Sequence, residues 1–438
     1  MSCRSDERGG DMKTKRACIS IGLLVALFIL VVGLAGATVI IIQRPSLGAQ
    51  GADMLRAVVG DRPVAEMEMF FFRAQDSVQQ TQYKLGLSEP EAPWEVSVVV
   101  VTPSKLTQTQ IPENTPVPTH SPVVNSSTSE VNGTSTVDPD SPTTLPTPLP
   151  PTLTPTTTVW APVQAAALGS LEGEGVWTPY IRDSTGRIVA YRTFFQPEPE
   201  RPYSVVAVVA FDLEYTRLHF VLGFEEPYNP EAPPRSGKLA QEHKVPGLLL
   251  AIFNGGFKAQ HGGAGAMSQG LVVLPPREGL GTVAMYHDGS VRLAEWGAEI
   301  LETDDMVAWR QNGPLVVKDG EINQQIYNND PKDWGYTVND VSPTLRSGMG
   351  ISEDSKTLYY FAGPKLTMDG LAKSMIAAGV SESIQLDINS YWVHFVVYPS
   401  DLDELVPEPL LPELMTENLD RYLYPFGRDF FYITAVEK

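Results

Sequence analysis

Cysteine is almost missing from this chain. Two occur in 438 residues, Cys3 and Cys18, both near the N-terminus. No disulfide staples the remainder, so its stability has to come from ordinary packing. Basic charge is also scarce. Thirty-two Lys and Arg stand against 52 Asp and Glu, for a net charge of −20. A polyanion repels such a chain, which argues against nucleic acid as a partner. Several chemical signatures are missing too: there is no His-Glu-x-x-His, no Cys-x-x-Cys and no Gly-x-Ser-x-Gly. The glycines after His261 do not form Gly-x-Gly-x-x-Gly, and no Walker lysine follows them. Zinc, dinucleotide and nucleoside triphosphate chemistry therefore have no support. No metal site is read, and the cofactor is left unassigned.

Long apolar runs are rare, with one exception. Ala17 to Ile42 is apolar throughout. Its length, about 26 residues or about 39 Å as a helix, exceeds the ~30 Å hydrocarbon core of a bilayer. A secretory h-region is shorter, which favours an uncleaved single-pass anchor over residues 17–42. Arg4, Arg8, Lys13, Lys15 and Arg16 precede the span and Arg44 alone closely follows it. Residues 1–16 are then a cytoplasmic tail at the cell membrane, and everything after Gln43 is extracytoplasmic.

Residues 51–86 read as a juxtamembrane helical region, broken at Gly60-Asp61-Arg62-Pro63. Val64, Phe71, Val78 and Leu85 recur at seven-residue spacing, with Met67, Ala74 and Thr81 between them. That seam suits a homo-oligomeric coiled coil over 64–85; the plainer alternative is one amphipathic helix lying on the membrane or on its own protein. Residues 97–165 are dominated by Pro, Thr and Ser and form a disordered linker. As a flexible coil it spans roughly 45 Å, and as extended polyproline roughly 190 Å. Asn125 and Asn132 lie in glycosylation-type contexts within it.

Globular composition returns over 166–438. Short strand signals dominate, with hairpins expected at Asp288-Gly289, at Asp319-Gly320 and between Ile351 and Thr357. One helix stands out, capped by Thr367 and stopped by Gly379. The fold class is α+β: a strand-rich mixed sheet with few helices.

Four segments share a pattern, an apolar run ending in polar or glycine residues: AIFNGGF, WRQNGPLVV, TLRSGMGIS and IQLDINSYWVHF. They present Asn254, Asn312, Arg346 and Asp387. Amides that donate and accept, a guanidinium fork and backbone amides beside Gly255 and Gly256 suit an anionic, hydroxyl-rich ligand such as a sugar phosphate. Each residue also has a plainer reading. Asn-Gly is commonly a turn, a lone Arg a structural ion-pair partner, an Asp at a strand end a cap, and His261 part of a solvated loop.

The order of these segments resembles the phosphodiester glycosidase family. Its pattern is Asn-Gly-Gly-Phe, then Asn-Gly-Pro with aliphatics and a Gly, then Arg-[Ser/Thr]-x-x-Gly, then a helix leading into Leu-Asp-Gly-Gly-Gly-Ser. This chain has Asn254-Gly255-Gly256-Phe257, Asn312-Gly313-Pro314 with Gly320, Arg346-Ser347-Gly348-Met349-Gly350, and Leu386-Asp387. It departs from the pattern after Asp387, where Ile388-Asn389-Ser390 replaces the glycines. The resemblance implies hydrolysis of a sugar-1-phosphodiester in surface or exopolymer glycans. Asp387 would be the general acid or base, Arg346 would neutralise the phosphate, and Asn254 would orient substrate. Gly255, Gly256, His261, Asn312 and Asn389 are the expected substrate-binding residues. A second carboxylate is expected by analogy with ordinary glycosidases, but Asp305, Glu321, Asp330 and Asp333 are not separable by sequence. A glycan-binding module without turnover, and a structural surface protein, are the competing readings.

Overall fold

The computed structural model describes residues 44–95, 160–328, 333–334 and 341–436. The proposed anchor over 17–42 and nearly all of the 97–165 linker lie outside these residues. Among the described residues no helix is long and apolar enough to cross a membrane.

The C-terminal strands assemble into three sheets. The largest has eight strands in the spatial order Thr178–Arg182, Ile188–Phe195, Val206–Asp212, Thr357–Leu366, Thr344–Ile351, Glu382–Gln385, Leu315–Lys318 and Glu321–Ile322. A five-stranded sheet runs Glu408–Pro409, Phe395–Val397, Leu249–Asn254, Phe430–Ala435, Thr216–Val221. The third, also five-stranded, runs Leu271–Leu274, Ala266–Ser268, Met306–Gln311, Gly281–Tyr286, Val291–Glu295. The ladders between these strands are antiparallel, which corrects the expectation of a mixed sheet. The reason is partly local. Tight turns reverse direction where they join neighbours such as Leu315–Lys318 with Glu321–Ile322 and Gly281–Tyr286 with Val291–Glu295, and other antiparallel ladders join strands far apart in sequence. At Asp319-Gly320 both residues take positive φ, 52° and 73°, as a two-residue hairpin requires. The other two expected hairpins also form.

The strand Val206–Asp212 shows how the layers stack. It is buried along its whole length. Alternate side chains face opposite sides of a strand. Val206, Val208 and Ala210 pack with Met368, Leu371, Ala372 and Met375. These four belong to the helix Met368–Ala377, capped by Thr367 Oγ1 accepting from Gly370 N at 3.0 Å. Ala207, Val209 and Phe211 pack the other way, with Phe253, Phe395 and Phe431 of the five-stranded sheet. Phe253, stacked on Phe431, and Phe395 pack against Tyr360, whose hydroxyl donates to Asn254 Oδ1 at 2.9 Å. An aromatic core thus ends in a polar group just below the candidate site.

The N-terminal helices are α1 (Pro45–Val59) and α2 (Asp61–Lys84); the helix at Met368–Ala377 is α3. Gly60, with φ of 87°, makes the break between α1 and α2. Helix α1 starts earlier than the expected residue 51, because Pro45 suits a first turn. The pair folds as a hairpin within the same compact unit as the strand domain. Arg56 of α1 holds both oxygens of Glu68 of α2 at 2.7 Å. Asp76 is buried and accepts from Arg201 Nε at 2.9 Å and from Tyr203 OH at 2.8 Å on the domain. The expected 64–85 seam divides: Val64 is buried, whereas Met67, Val78 and Leu85 are exposed. Residues Ala65, Glu68, Met69, Phe72 and Asp76 form the inward face instead.

Candidate active site

Register brings the site together. Phe430 pairs with Asn254 across the five-stranded sheet. The residues just before one strand, Arg428 and Asp429, therefore meet those just after the other, Gly255 and Gly256. In the large sheet Gly348 pairs with Gln385, so the chain leaves the sheet at Leu386-Asp387 beside Ser347. The Asp387 amide donates to Gly255 O at 3.2 Å, joining the two sheets' exits.

The Asp387 carboxylate is fixed from three directions. Its Oδ1 accepts from Ile388 N at 2.8 Å and from Asn389 N at 2.9 Å. Its Oδ2 lies 2.6 Å from Arg428 Nη2, which also donates to Gly256 O at 2.8 Å. Both side chains are over nine-tenths buried, at 8% and 7% exposure. Arg428 Nε has no hydrogen-bond partner among the described residues, and Trp392 lies under the guanidinium at 4.9 Å. That spare donor is buried, so an anion reaches it only when the wall over the guanidinium moves aside.

Asp387, Arg428 and Trp392 open onto a cavity of about 50 Å³ together with Phe257, Lys258, His261, Thr344, Ile388 and Asn389. The rest of its wall is the helical hairpin: Asp53, Arg56, Glu68 and Phe72. The space holds roughly three waters and no sugar ring. Asp53 Oδ2 lies 2.8 Å from Lys258 Nζ, and Met69 and Phe72 pack on Phe257 and Ile388. Burial, with Arg56 nearby, depresses His261 to about 4, so it is neutral near pH 7. Burial raises Glu68 above its ordinary value, against the pull of Arg56.

The expected residues divide into two groups. Asp387, His261 and Asn389 line the cavity. Asn254, Asn312, Arg346, Gly255 and Gly256 lie behind it. Arg346 is fully buried and donates to Leu366 O at 2.8 Å, Ser342 O at 3.1 Å and Gln385 Oε1 at 3.2 Å. It braces the strand that delivers Asp387; the cation beside that carboxylate is Arg428. Asn254 Nδ2 donates to Ser347 Oγ at 3.1 Å, and Ser347 Oγ donates to Asp387 O at 2.6 Å. Asn312 takes Phe257 N at 2.9 Å and gives to Gln385 O at 2.6 Å. The two glycines make room for side chains of the protein itself. A Cβ on Gly255 would meet Asp429 Oδ2 at 2.5 Å, and one on Gly256 would meet Asn312 Oδ1 at 2.8 Å and Arg310 Nη2 at 2.9 Å.

The three described candidates for a second carboxylate do not line the cavity. Asp305, Glu321 and Asp333 sit elsewhere, and Asp330 lies outside the described residues. Among the described residues its carboxylates are Asp53, Glu68 and Asp387. No group of three or more His, Cys, Asp or Glu among the described residues could hold a metal ion. The departure after Asp387 needs no glycine, since residues 388–390 all avoid positive φ. Sequence reasoning missed Arg428, Lys258 and Trp392. Arg428-Asp429, a charged pair directly before the final apolar strand, was the available signal.

No protein-family model and no curated protein sequence matches the chain. Solved structures do. The zebrafish N-acetylglucosamine-1-phosphodiester alpha-N-acetylglucosaminidase catalytic domain, auto-inhibited by its pro-peptide, is 14% identical. That match covers 61% of this chain and 96% of the other, with a TM-score of 0.36. A hypothetical protein from Synechocystis is 9% identical over 53% of this chain and 59% of the other, with a TM-score of 0.29. The likeness is at the level of fold and gives no residue a role.

Proposed function

We propose that the chain is a membrane-anchored, exported hydrolase acting on an anionic sugar derivative, a sugar-1-phosphodiester, with the helical hairpin closing its site. One observation carries this reading. A fixed Asp387 carboxylate shares a single cavity with Arg428, Lys258 and His261. With the hairpin withdrawn, Asp53 and Glu68 leave with Arg56, and two cations, Arg428 and Lys258, remain against the one carboxylate of Asp387, with His261 beside them as a neutral imidazole. That balance suits a ligand bearing negative charge.

Asp387 accepts hydrogens from two amides and from the Arg428 guanidinium, an arrangement that holds its carboxylate in place to take a proton or to stabilise developing positive charge. Arg428 and Lys258 take the phosphate oxygens. Trp392 offers an aromatic wall beside them. The small cavity and the bonded hairpin make the described state a closed one.

The same geometry without turnover is a glycan-binding module, favoured by the commitment of Asp387 to Arg428. A panel of nitrophenyl-phosphoryl sugars separates the two. Hydrolysis by the parent that Asp387→Asn abolishes, with binding kept, supports the enzyme. Binding with no hydrolysis by any form of the chain, the hairpin released included, supports the module.

A further inference from the structure

The hairpin has a second apolar side that packs on nothing described. In α1, Leu47, Met54 and Val58 recur one or two turns apart, and all three are exposed, Met54 at 74% and Val58 at 82%. Ala49, Asp53 and Arg56, on the opposite side of the same helix, turn toward α2 and the domain. Helix α2 repeats the arrangement. Met67, Phe70 and Val78 are exposed, Phe70 at 76%, as is Leu85 just past the helix end, while Ala65, Glu68, Phe72 and Asp76 turn inward. At 3.6 residues per turn the two sets occupy opposite faces of each helix. An ordinary surface helix keeps its apolar residues on one side only. Arg44, Arg73 and Lys84 are exposed alongside.

The position of the chain outside the structure says what covers this face. The 26 apolar residues of 17–42 end just before Arg44, and α1 begins at Pro45. A hairpin tied so closely to the proposed anchor would have its outer face within reach of the lipid surface. Apolar side chains on one face with basic residues beside them are what such an interface accepts.

We propose that the outer face of the α1–α2 hairpin lies on the bilayer interface, with Met54, Val58 and Phe70 seated among the lipid headgroups. This rests on residues 17–42 being the anchor. The hairpin is then held on both sides, by lipid outside and by Lys258, Arg201 and Phe257 inside. The cavity lies one helix thickness, about 10–12 Å, from the membrane surface.

The test uses the full chain with Cys3→Ser and Cys18→Ser, reconstituted in phosphatidylcholine–phosphatidylglycerol vesicles. An environment-sensitive fluorophore is attached at Val58→Cys or Phe70→Cys, and at Glu172→Cys as an exposed control on the domain. Emission at 58 and 70 should shift to the blue and lose most of its intensity with nitroxide-headgroup lipid, while position 172 keeps its intensity. Adding Met54→Glu and Leu47→Glu should restore most of it. A chain that floats with vesicles yet reports water at 58 and 70 overturns the proposal and leaves the anchor standing. A chain that does not float overturns both. Blue emission insensitive to the lipid quencher but lost on dilution would assign the face to a second copy instead.

Discussion

Asp53 of helix α1 and Lys258 of the strand domain, 205 positions apart in sequence, meet at 2.8 Å across the mouth of the cavity. The hairpin carboxylate thereby occupies the lysine that an anionic ligand would need. Asp53→Asn should tighten binding of a sugar phosphate, and Lys258→Ala should weaken it. Asp53 is 40% exposed, so the pair contributes about 0.2–1 kcal/mol and the gain should be no more than about fivefold. Calorimetric titration of both variants checks this, and equal affinities in parent and Asp53→Asn would remove Asp53 from the site.

Acid should loosen the hairpin. Burial depresses His261 from 6.5 to about 4 in the folded chain, with Arg56 and Lys258 adding to the depression and Asp387 and Asp61 opposing it. A depressed folded value means the associated stability is full above pH 6.5 and is lost as pH falls toward 4. The protection factors of the α1 and α2 amides, corrected for the intrinsic exchange rate at each pH, should therefore fall over that window. His261→Gln should flatten the response, and an unchanged profile in that variant would assign it to other groups.

The polar base of the site should be costly to alter. Arg310 and Asp429 are both fully buried and meet at 2.7 Å. Asp429→Asn removes the compensating charge and should destabilise the domain by about 3–5 kcal/mol. Gly255→Ala forces a methyl onto the same carboxylate and should cost about 1–3 kcal/mol. Denaturant midpoints measure both. A loss below about 0.5 kcal/mol in either variant would mean that the loop relaxes freely.

Two arginines should fail differently. Arg346→Lys loses several buried hydrogen bonds and should lower the thermal midpoint with little change in affinity for phosphate compounds. Arg428→Lys removes the fork beside Asp387 and should weaken that affinity about tenfold or more. The reverse pattern would return the anion site to Arg346.

Much of this was legible in the sequence. The three hairpins follow from turn residues, and α3 from Thr367 and Gly379. Asp387 followed from a strand running out into polar residues. Arg346, Asn254 and Asn312 look alike in sequence whether they face ligand or brace a loop, because the same donors serve both uses. Only the pairing of Phe430 with Asn254 brings Arg428 to Asp387, and such long-range register leaves no local signal. The hairpin's docking was hidden for a similar reason. Asp76 lies off the expected seam, and its partners Arg201 and Tyr203 lie beyond the linker.

The most direct test of a closed hydrolase is turnover after the hairpin is released. Asp76→Lys with Phe72→Glu, in the full chain, removes the Arg201 and Tyr203 contacts and the apolar plug together. This variant should hydrolyse nitrophenyl-phosphoryl sugars faster than the parent, Asp387→Asn in the same background should abolish the gain, and the strand domain should keep its thermal midpoint. A released variant that stays folded and is no more active than the parent would contradict a closed hydrolase.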